Sequence, residues 1–368
     1  MLASGWLIAW TLTAAPILSV HEATRAIAAG ESADQAVERL KQAGKPGLWA
    51  LCDAAKNAHG AERGRLFEAI GAIGTAEAEW ALVIELKGGE PEGVAGSVRG
   101  LARIQSGSSC GAIVRQAGAK DAQVRDAVAG ALVAKKGCGP ATIRRLWSST
   151  DELEREMAVR YVVDTHDPMG AELTTPSLAD PSALVRYQGA ALAADRHDRT
   201  QLYTLADLAR GSDERLAVRA ARAIAEVGGF GSPGELGAVI ADHRTTEGAW
   251  REAGRALRTL GKEGFGALVR GISRSKDPAR RAALADIASH NLSEVDLLAA
   301  VELLEDAEFG VAGALILDRA GERGRAAASA RRATALPELD QAIEHYLSAV
   351  RALPAAAEGL VATTTKVP

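Results

Sequence analysis

From about residue 120 to about residue 290, apolar-rich segments and polar breaks alternate with a period of about thirty residues. Within each segment, apolar and small residues recur at i, i+3, i+4 and i+7, the spacing that places them on one face of an α-helix. In the clearest copies an Asp begins the segment and a Val-Arg pair follows it, as in 121–125, 180–186 and 213–219. The pattern therefore predicts an amphipathic helix that recurs along the chain.

Each segment also carries residues that begin and end helices. Asp, often followed by Pro as in Asp180-Pro181 and Asp277-Pro278, caps free amides at a helix start, and Pro is tolerated in the first turn. A Gly-containing break such as Gly228-Gly229 follows, and then a shorter second helix such as 236–240. One helix pair cannot bury its apolar face alone, whereas stacked pairs bury a continuous seam. The sequence therefore predicts a stack of helix pairs.

The recurring pattern Asp-x(2–4)-Val-Arg-x(3–4)-Ala resembles the HEAT-repeat family, particularly the short bacterial HEAT-like units of phycobilin lyases. The resemblance covers roughly residues 32–308. It implies an all-α fold, a right-handed α-α superhelix or solenoid of about eight to ten helix pairs. The family includes scaffolds, adaptors, lyases and a few enzymes, so the resemblance indicates an architecture and does not select a function.

The pattern divides the chain into four segments. Residues 1–22 are an apolar N-terminal segment, 23–308 the repeat array, 309–356 a C-terminal helical cap and 357–368 a disordered tail. The cap is expected because one face of a terminal repeat meets water, so its sequence departs from the repeat pattern. One unit of the array is expected to be short or irregular, because Pro176 stands where its second helix should run.

The N-terminal run from Leu2 to Val20 contains no charged residue. A run of this length fits a secretory signal or a single membrane anchor. No Lys or Arg precedes it, and Pro16 would follow the small-residue cleavage pattern at 13–15, so a buried first helix of the array is the alternative. The first interpretation predicts an exported, periplasmic protein that is membrane-anchored if the run is kept, and the second predicts a cytoplasmic one.

Composition narrows the classes of function. The formal net charge is −4, aromatic residues make up 4% of the chain, and alanine and arginine are abundant, which is typical of a GC-rich bacterial genome. An acidic balance opposes nucleic-acid binding, because the phosphate backbone requires clustered cations. Two basic segments, 270–281 and 319–332, leave binding of a nucleic acid or another anionic partner as an alternative.

Patterns of catalytic and metal-binding residues are scarce. The HEAT-type deoxyhypusine hydroxylases bind iron through repeated His-Glu pairs, whereas the one His-Glu pair here, His21-Glu22, stands beside the apolar N-terminal run. The sequence has no CxxC, no Gly-rich phosphate loop after a strand and no Gly-x-Ser-x-Gly elbow. We therefore expect no catalysis, cofactor or metal. A HEAT-like lyase, or an accessory subunit that positions a cofactor, is the alternative.

Three cysteines need separate interpretations. Cys110 and Cys138 are 28 positions apart, close to one repeat, so neighbouring repeats can bring them together. A disulfide between them is expected if the protein is exported. Against it, stacked helices lie about 8–10 Å apart, whereas a disulfide needs Cα atoms within about 7 Å. Cys52 lies in an apolar run and is expected to be a small core residue.

The predicted function is a non-catalytic scaffold that binds a protein partner of unknown identity through its concave surface. In HEAT families the Val-Arg helix usually lines that surface, so the resemblance implies that exposed positions on these helices contact the partner. The candidates are Tyr161, Tyr187, Arg222, Trp250 and Arg258, because aromatic residues and Arg dominate the energetics of interfaces.

The arginines of the Val-Arg pattern recur once per unit, at Arg125, Arg160, Arg186, Arg219 and Arg251. We expect them to pair with Asp residues of adjacent repeats. A ligand-binding stripe is the alternative.

Overall fold

The structure is a computed structural model that describes residues 19–31, 33–104, 106 and 108–364, with 351–364 described as backbone alone. Residues 1–18 of the predicted signal or anchor lie outside the described residues. Among those described, every regular element is a helix and none is a strand, which confirms the all-α helical-repeat class. No helix in the described ranges has both the length and the apolar character needed to cross a bilayer.

The chain forms two compact units, the first ending at Thr165 and the second beginning at His166. The helices described in the first unit are α1 (Val20–Ala29), α2 (Ala33–Ala43), α3 (Lys45–Asn57), α4 (Gly60–Ile73), α5 (Ala76–Glu85), α6 (Pro91–Arg103), α7 (Ser108–Val114), α8 (Ala122–Ala134), α9 (Pro140–Trp147) and α10 (Glu152–Thr165). A short 3-10 helix, Lys136–Cys138, lies between α8 and α9.

The helices described in the second unit are α11 (Gly170–Leu178), α12 (Ala183–Asp195), α13 (Leu202–Ala209), α14 (Glu214–Val227), α15 (Ser232–Ala241), α16 (Glu247–Thr259), α17 (Gly261–Arg274), α18 (Pro278–Ser289), α19 (Glu294–Glu302), α20 (Gly310–Arg319), α21 (Glu322–Arg332) and α22 (Pro337–Thr364). Two 3-10 helices, Arg199–Gln201 and Leu303–Glu305, precede α13 and α20.

Within each unit the helices alternate between two layers. In layer A each helix packs on the next of its layer: α4, α6, α8 and α10 in the first unit, and α12, α14, α16, α18 and α20 in the second. Layer B is formed by the helices between them, which are α3, α5, α7 and α9 in the first unit and α11, α13, α15, α17, α19 and α21 in the second. The Val-Arg helices of the sequence pattern are those of layer A.

The predicted helix starts and stops are confirmed where the repeat pattern is clearest. Asp121, Asp213 and Asp277 each accept a hydrogen bond from a backbone amide of the first turn, at 2.9–3.1 Å. These bonds satisfy amides that have no partner within the helix. Gly228 ends α14 with a φ of +69°, which glycine adopts without steric cost.

Two segments differ in detail from the sequence-based expectation. The unit with Pro176 does have a second helix, the short α11, and Pro176 lies inside it. At the C-terminus, α22 continues to Thr364, past the predicted start of a tail at 357. The alanines from 355 to 362 favour this extension, because alanine has the highest helix propensity.

Layer A of the first unit is held together by close backbone contacts. A Cβ at Gly71 of α4 would overlap the backbone of Gly100 in α6, and a Cβ at Gly96 of α6 would overlap the carbonyl oxygen of Gly64 in α4. Only glycine permits two helices to approach this closely. The helices α4 and α6, the first two of this layer, are therefore packed against each other backbone to backbone.

Candidate functional site

The five partner-contact residues predicted from the sequence do not form one exposed surface. Tyr161 and Trp250 are buried, which corrects the expectation that they are accessible. The reason is that a large aromatic ring on an amphipathic helix is most stable against the apolar face of a neighbouring helix. Trp250 is also covered by two guanidinium groups, those of Arg251 and Arg280, at 4.9 Å and 5.3 Å from a ring centroid.

Arg258 is also unsuited to partner contact. Its side chain is half-buried, donates a hydrogen bond to the carbonyl oxygen of His290 at 3.1 Å, lies 3.9 Å from the carboxylate of Asp296 and covers the ring of Phe265. These contacts tie α16 to neighbouring helices.

Tyr187 and Arg222 do lie near each other, beside a cavity of about 340 Å³ on α12 and α14. Arg215 covers the Tyr187 ring at 5.2 Å, and Arg222 donates to Glu252 at 2.8 Å. This ion pair raises the pKa of Arg222. Because Arg222 already has a carboxylate partner, this surface offers a partner mainly the face and edge of one tyrosine.

The recurring arginines have a different role from the one expected. Arg125 and Arg186 each donate to two backbone carbonyls in the turn before their own helix, five and six residues back, at 2.7–2.8 Å. Arg155 makes the same pair of bonds. Only Arg160 pairs as expected, with Asp126 of the previous repeat at 2.7 Å, whereas the partial negative charges of the turn carbonyls occupy Arg125 and Arg186.

The two remaining arginines of this pattern pair within their own helices. Arg219 lies 3.0 Å from Glu226, and Arg251 lies 2.8 Å from Glu247. The expected ladder of Arg–Asp pairs is therefore corrected: most of these side chains close turns or lie along one helix.

Cys110 and Cys138 are joined by a disulfide in the structure, with their Cα atoms 5.7 Å apart. The bond links the start of α7 to the 3-10 helix before α9. The distance is shorter than that between stacked helix axes because the bond connects a helix end to a turn.

The two basic segments use several of their charges internally. In 270–281, Arg280 donates to the carbonyl oxygens of Ile240, Asp242 and Thr245. In 319–332, Arg323 donates to the carbonyl of Leu292, and Arg331 and Arg332 pair with Glu302 and with Asp340 and Glu344. These arginines connect helices and are not a free row of cations.

The most distinctive site in the described structure is an apolar cleft of about 750 Å³ in the first unit. Its walls are α3 and α5 of layer B, which stand apart without packing on each other, and its floor is α4 of layer A. Trp49 of α3 and Trp80 of α5 line it while remaining 67% and 69% exposed. Exposed indole rings that share one cleft are unusual, because each leaves a large apolar area in water.

Regular helical spacing brings the lining residues together. On α3, Trp49, Cys52 and Lys56 follow one another at i, i+3 and i+7, and on α5 the lining residues are 77, 80, 81 and 84. Residues at these spacings share one face of a helix. The two tryptophans are 31 positions apart, about one repeat, so equivalent positions of successive layer B helices contribute one indole each.

A buried ion pair forms part of the floor. The Nε and Nη2 atoms of Arg63 donate to the two carboxylate oxygens of Glu85, each at 2.8 Å, and the side chains are 16% and 8% exposed. Nη1 of Arg63 donates to the carbonyl oxygens of Ala55 and Ala58. The hydrogen bonds to Glu85 raise the pKa of Arg63. The guanidinium also covers the ring of Phe67 at 5.2 Å, which fixes that ring in the floor.

Two glycines allow this pair to be enclosed. A Cβ at Gly89 or Gly93 would overlap Oε1 of Glu85. The turn after α5 and the first turn of α6 therefore cover the carboxylate, and both of its oxygens accept hydrogen bonds from Arg63. The Arg63–Glu85 pair carries no net charge, and both of its side chains are largely buried in the floor of the cleft.

Cys52 lines this cleft and is half-buried, so the expectation that it lies in the core is corrected. Burial raises the pKa of its thiol, which keeps the less reactive protonated form at neutral pH. Within the described residues, no group of three or more His, Cys, Asp or Glu side chains is arranged to hold a metal ion.

Sequence reasoning did not identify this cleft. Trp80 lies in residues 61–105, where the Asp start of the repeat is missing, Trp49 lies before that segment, and an aromatic residue at helical spacing usually indicates a core position. The available signal was their separation of one repeat on second helices, which pointed to a shared surface.

No family model matches the chain, and no curated protein sequence matches it. Similar solved structures include an engineered protein, 18% identical, with 90% of this chain and 94% of that chain covered and a TM-score of 0.31. Human deoxyhypusine hydroxylase in complex with glycerol is 15% identical, with 74% of this chain and 98% of that chain covered and a TM-score of 0.28. The complex of CpcE and CpcF of phycocyanin lyase from Nostoc sp. PCC7120 is 14% identical, with 78% of this chain and 100% of that chain covered and a TM-score of 0.24. These likenesses carry no activity over to this chain.

Proposed function

We propose that the protein is a non-catalytic binding scaffold that holds an apolar segment of a protein partner in the cleft between α3 and α5. The observation that supports this most is the pair of exposed indoles, Trp49 and Trp80, in one apolar cleft. Tryptophan is the residue most enriched among those that dominate the binding energy of interfaces.

The energetic gain from covering these rings is large. An indole side chain has about 150–250 Å² of surface, so burying the exposed two-thirds of one ring contributes about 2.5–4 kcal/mol before the entropic cost of association. Two such rings contribute about 5–8 kcal/mol, which offsets an association cost of about 4 kcal/mol, and the apolar surface that the partner itself buries adds to this gain.

The shape of the cleft supports an inserted side chain over a flat interface. Its volume of about 750 Å³ lies within the usual range for concave binding sites, about 300–1,000 Å³. The floor is held in place by the Arg63–Glu85 pair and by the glycine contacts between α4 and α6. A preformed site of this kind loses little conformational entropy when a partner binds.

This proposal places binding on layer B, whereas the sequence pattern had indicated the Val-Arg helices of layer A. The change follows from exposure. On layer A the buried Tyr161 and Trp250 cannot contact a partner without disrupting the core, whereas Trp49 and Trp80 are already accessible.

The test is selection of peptides from a random 12-residue display library on the full chain. Peptides that bind in the cleft should lose about tenfold in affinity or more when Trp49 or Trp80 is changed to alanine. The matched controls are Tyr203→Ala and Phe230→Ala, which remove exposed aromatic rings outside the cleft and should leave binding unchanged. If no selected peptide depends on either tryptophan, the proposed function is wrong.

A further inference from the structure

The charges around the cleft are distributed unequally. Lys45 and Glu77, in the first turns of α3 and α5, form an ion pair at 3.7 Å, and Glu85 in the floor is occupied by Arg63. Lys56, in the last turn of α3, also lines the cleft and is exposed. Among the described residues it has neither an ion-pair nor a hydrogen-bond partner, so it is the uncompensated charge of the site.

We propose that the segment held in the cleft is acidic, with a carboxylate that pairs with Lys56 while the neighbouring apolar side chain lies between Trp49 and Trp80. This inference rests on the proposed function and adds the chemistry of the partner. Charge complementarity supports it: a carboxylate finds a free ammonium group, whereas a cation finds the two carboxylates of the cleft already paired. Pairing beside apolar rings is also less screened than pairing in open water.

The positions of the charges also predict an orientation. Lys45 and Lys56 are eleven residues apart on one helix, which corresponds to about 16 Å along its axis. An acidic group at the Lys56 end therefore meets an ammonium group that has no carboxylate partner, whereas an acidic group at the opposite end meets the Lys45–Glu77 ion pair. We expect a segment with its acidic residue on one side of the apolar anchor and none on the other.

A lysine in the last turn of a helix also interacts favourably with the helix dipole, and this purely structural role must be separated from ligand pairing. The chain offers a matched control. Lys41 is an exposed lysine in the last turn of α2, outside the cleft. Any effect that comes from the helix end alone should be the same for Lys41 and Lys56.

The experiment repeats the 12-residue display selection on four forms of the full chain: unaltered, Lys56→Glu, Lys41→Glu, and Trp49→Ala with Trp80→Ala. The unaltered chain should select peptides with Asp or Glu beside an aromatic or aliphatic residue. Lys56→Glu should replace those acids with Lys or Arg, and Lys41→Glu should select the same peptides as the unaltered chain.

Titration of one selected peptide and its amide analogue, with Asp changed to Asn or Glu to Gln, gives the magnitude. The amide peptide should bind the unaltered chain about two- to fivefold more weakly than the acidic peptide, which is the range for a partly exposed ion pair. The two peptides should bind the Lys56→Gln variant with equal affinity.

Three outcomes would overturn the inference. Selected peptides that depend on the tryptophans but are neutral or basic would leave the proposed function standing and remove the acidic partner. An equal effect of Lys41→Glu would assign Lys56 to the helix end. Co-sedimentation with phosphatidylglycerol vesicles that is lost in the double tryptophan variant, without any tryptophan-dependent peptide, would identify a membrane surface and reject the proposed function itself.

Discussion

Two neighbouring helices of layer B stand apart in the first unit, and their counterparts in the second unit are in contact. In the first unit α3 and α5 leave the cleft between them, whereas α15 and α17 of the second unit pack on each other. The contacts that glycines make between neighbouring helices of one layer also differ between the two units. On layer A of the first unit, Gly71 faces Gly100, and α4 and α6 meet backbone to backbone.

In the second unit, Gly237 and Gly271 of layer B each have a side chain of the neighbouring layer B helix as their nearest contact. A Cβ at Gly271 of α17 would lie 2.7 Å from Cγ2 of Ile240 in α15, and a Cβ at Gly237 would lie 3.7 Å from that of Ala267. On layer A there, a Cβ at Gly254 of α16 would lie 3.1 Å from a side-chain carbon of Leu284 in α18. The comparison teaches that the cleft lies over α4, the helix whose glycines make the closest backbone contacts with its neighbour on layer A.

The largest effect is expected from breaking the ion pair under the cleft. Glu85→Ala leaves the buried guanidinium of Arg63 without its carboxylate, which typically costs about 3–5 kcal/mol of unfolding free energy. Glu252→Ala in the second unit removes the partner of Arg222, whose side chain is half exposed, and should cost about 1 kcal/mol or less. Denaturant unfolding with hydrogen exchange resolved by peptide measures both. Equal losses in the two variants would show that the floor of the cleft is not specially stabilised.

The disulfide gives the next largest effect, and only the first unit contains cysteines. Closing a loop of this length is worth about 3.5 kcal/mol in the chain-entropy model, so Cys110→Ser with Cys138→Ser should lower the stability of the first unit by about that amount and leave the second unchanged. The measurement is hydrogen exchange of α7 to α9 against α15 to α17.

The same bond tests the proposed export. In protein fractionated from its native host, mass spectrometry should show both thiols resistant to labelling until reduction and the N-terminal run removed. A full-length chain with three free thiols would contradict export.

Alanine at the two kinds of glycine should have opposite effects. Gly71→Ala places a methyl group against the backbone of Gly100 and should destabilise the first unit by about 2–3 kcal/mol. Gly237→Ala places its methyl group in ordinary contact and should stabilise the second unit by about 0.5–1 kcal/mol through helix propensity. Thermal unfolding measures both, and Gly71→Ala should also weaken binding of a cleft peptide. A change of the same sign in both variants would contradict this difference between the two kinds of glycine contact.

The smallest effect concerns Tyr346 in the second unit. Its ring is buried, its hydroxyl has no hydrogen-bond partner among the described residues, and burial raises its pKa to about 12. Below pH 10 the tyrosine is neutral in both states. Between pH 10 and 12 it ionises more readily in the unfolded chain, so its contribution to stability falls as pH rises.

The Tyr346→Phe variant should therefore lose less stability than the unaltered chain when the pH rises from 9 to 11. At pH 7 the variant should be as stable as the unaltered chain or slightly more stable, because the substitution removes a buried hydroxyl that has no partner. Thermal melts at the three pH values measure this, with the exposed Tyr203→Phe as the control that should behave as the unaltered chain does. An identical pH dependence for Tyr346→Phe would show that this ring does not contribute.

The repeat architecture could be predicted from the sequence because its determinants are local. Asp121, Asp213 and Asp277 begin helices through side-chain bonds to amides two or three residues away, and the apolar spacing needs only one helix to be recognised. The cleft could not be predicted, because the exposure of Trp80 depends on how far α5 stands from α3. Trp250 has the same residue type at similar helical spacing and is buried.

The arginines that close their own turns have a consequence for how such a chain changes in evolution. Arg155 and Arg186 satisfy carbonyls of the same repeat, so duplication or deletion of one of these repeats removes each arginine together with the carbonyls it satisfies. Lys135, Arg280 and Arg323, which reach carbonyls about one repeat or more away, have no such independence, and the disulfide also joins neighbouring repeats. Changes in repeat number should therefore accumulate between residues 149 and 195, while the segments from 104 to 138 and from 240 to 323 keep a fixed length.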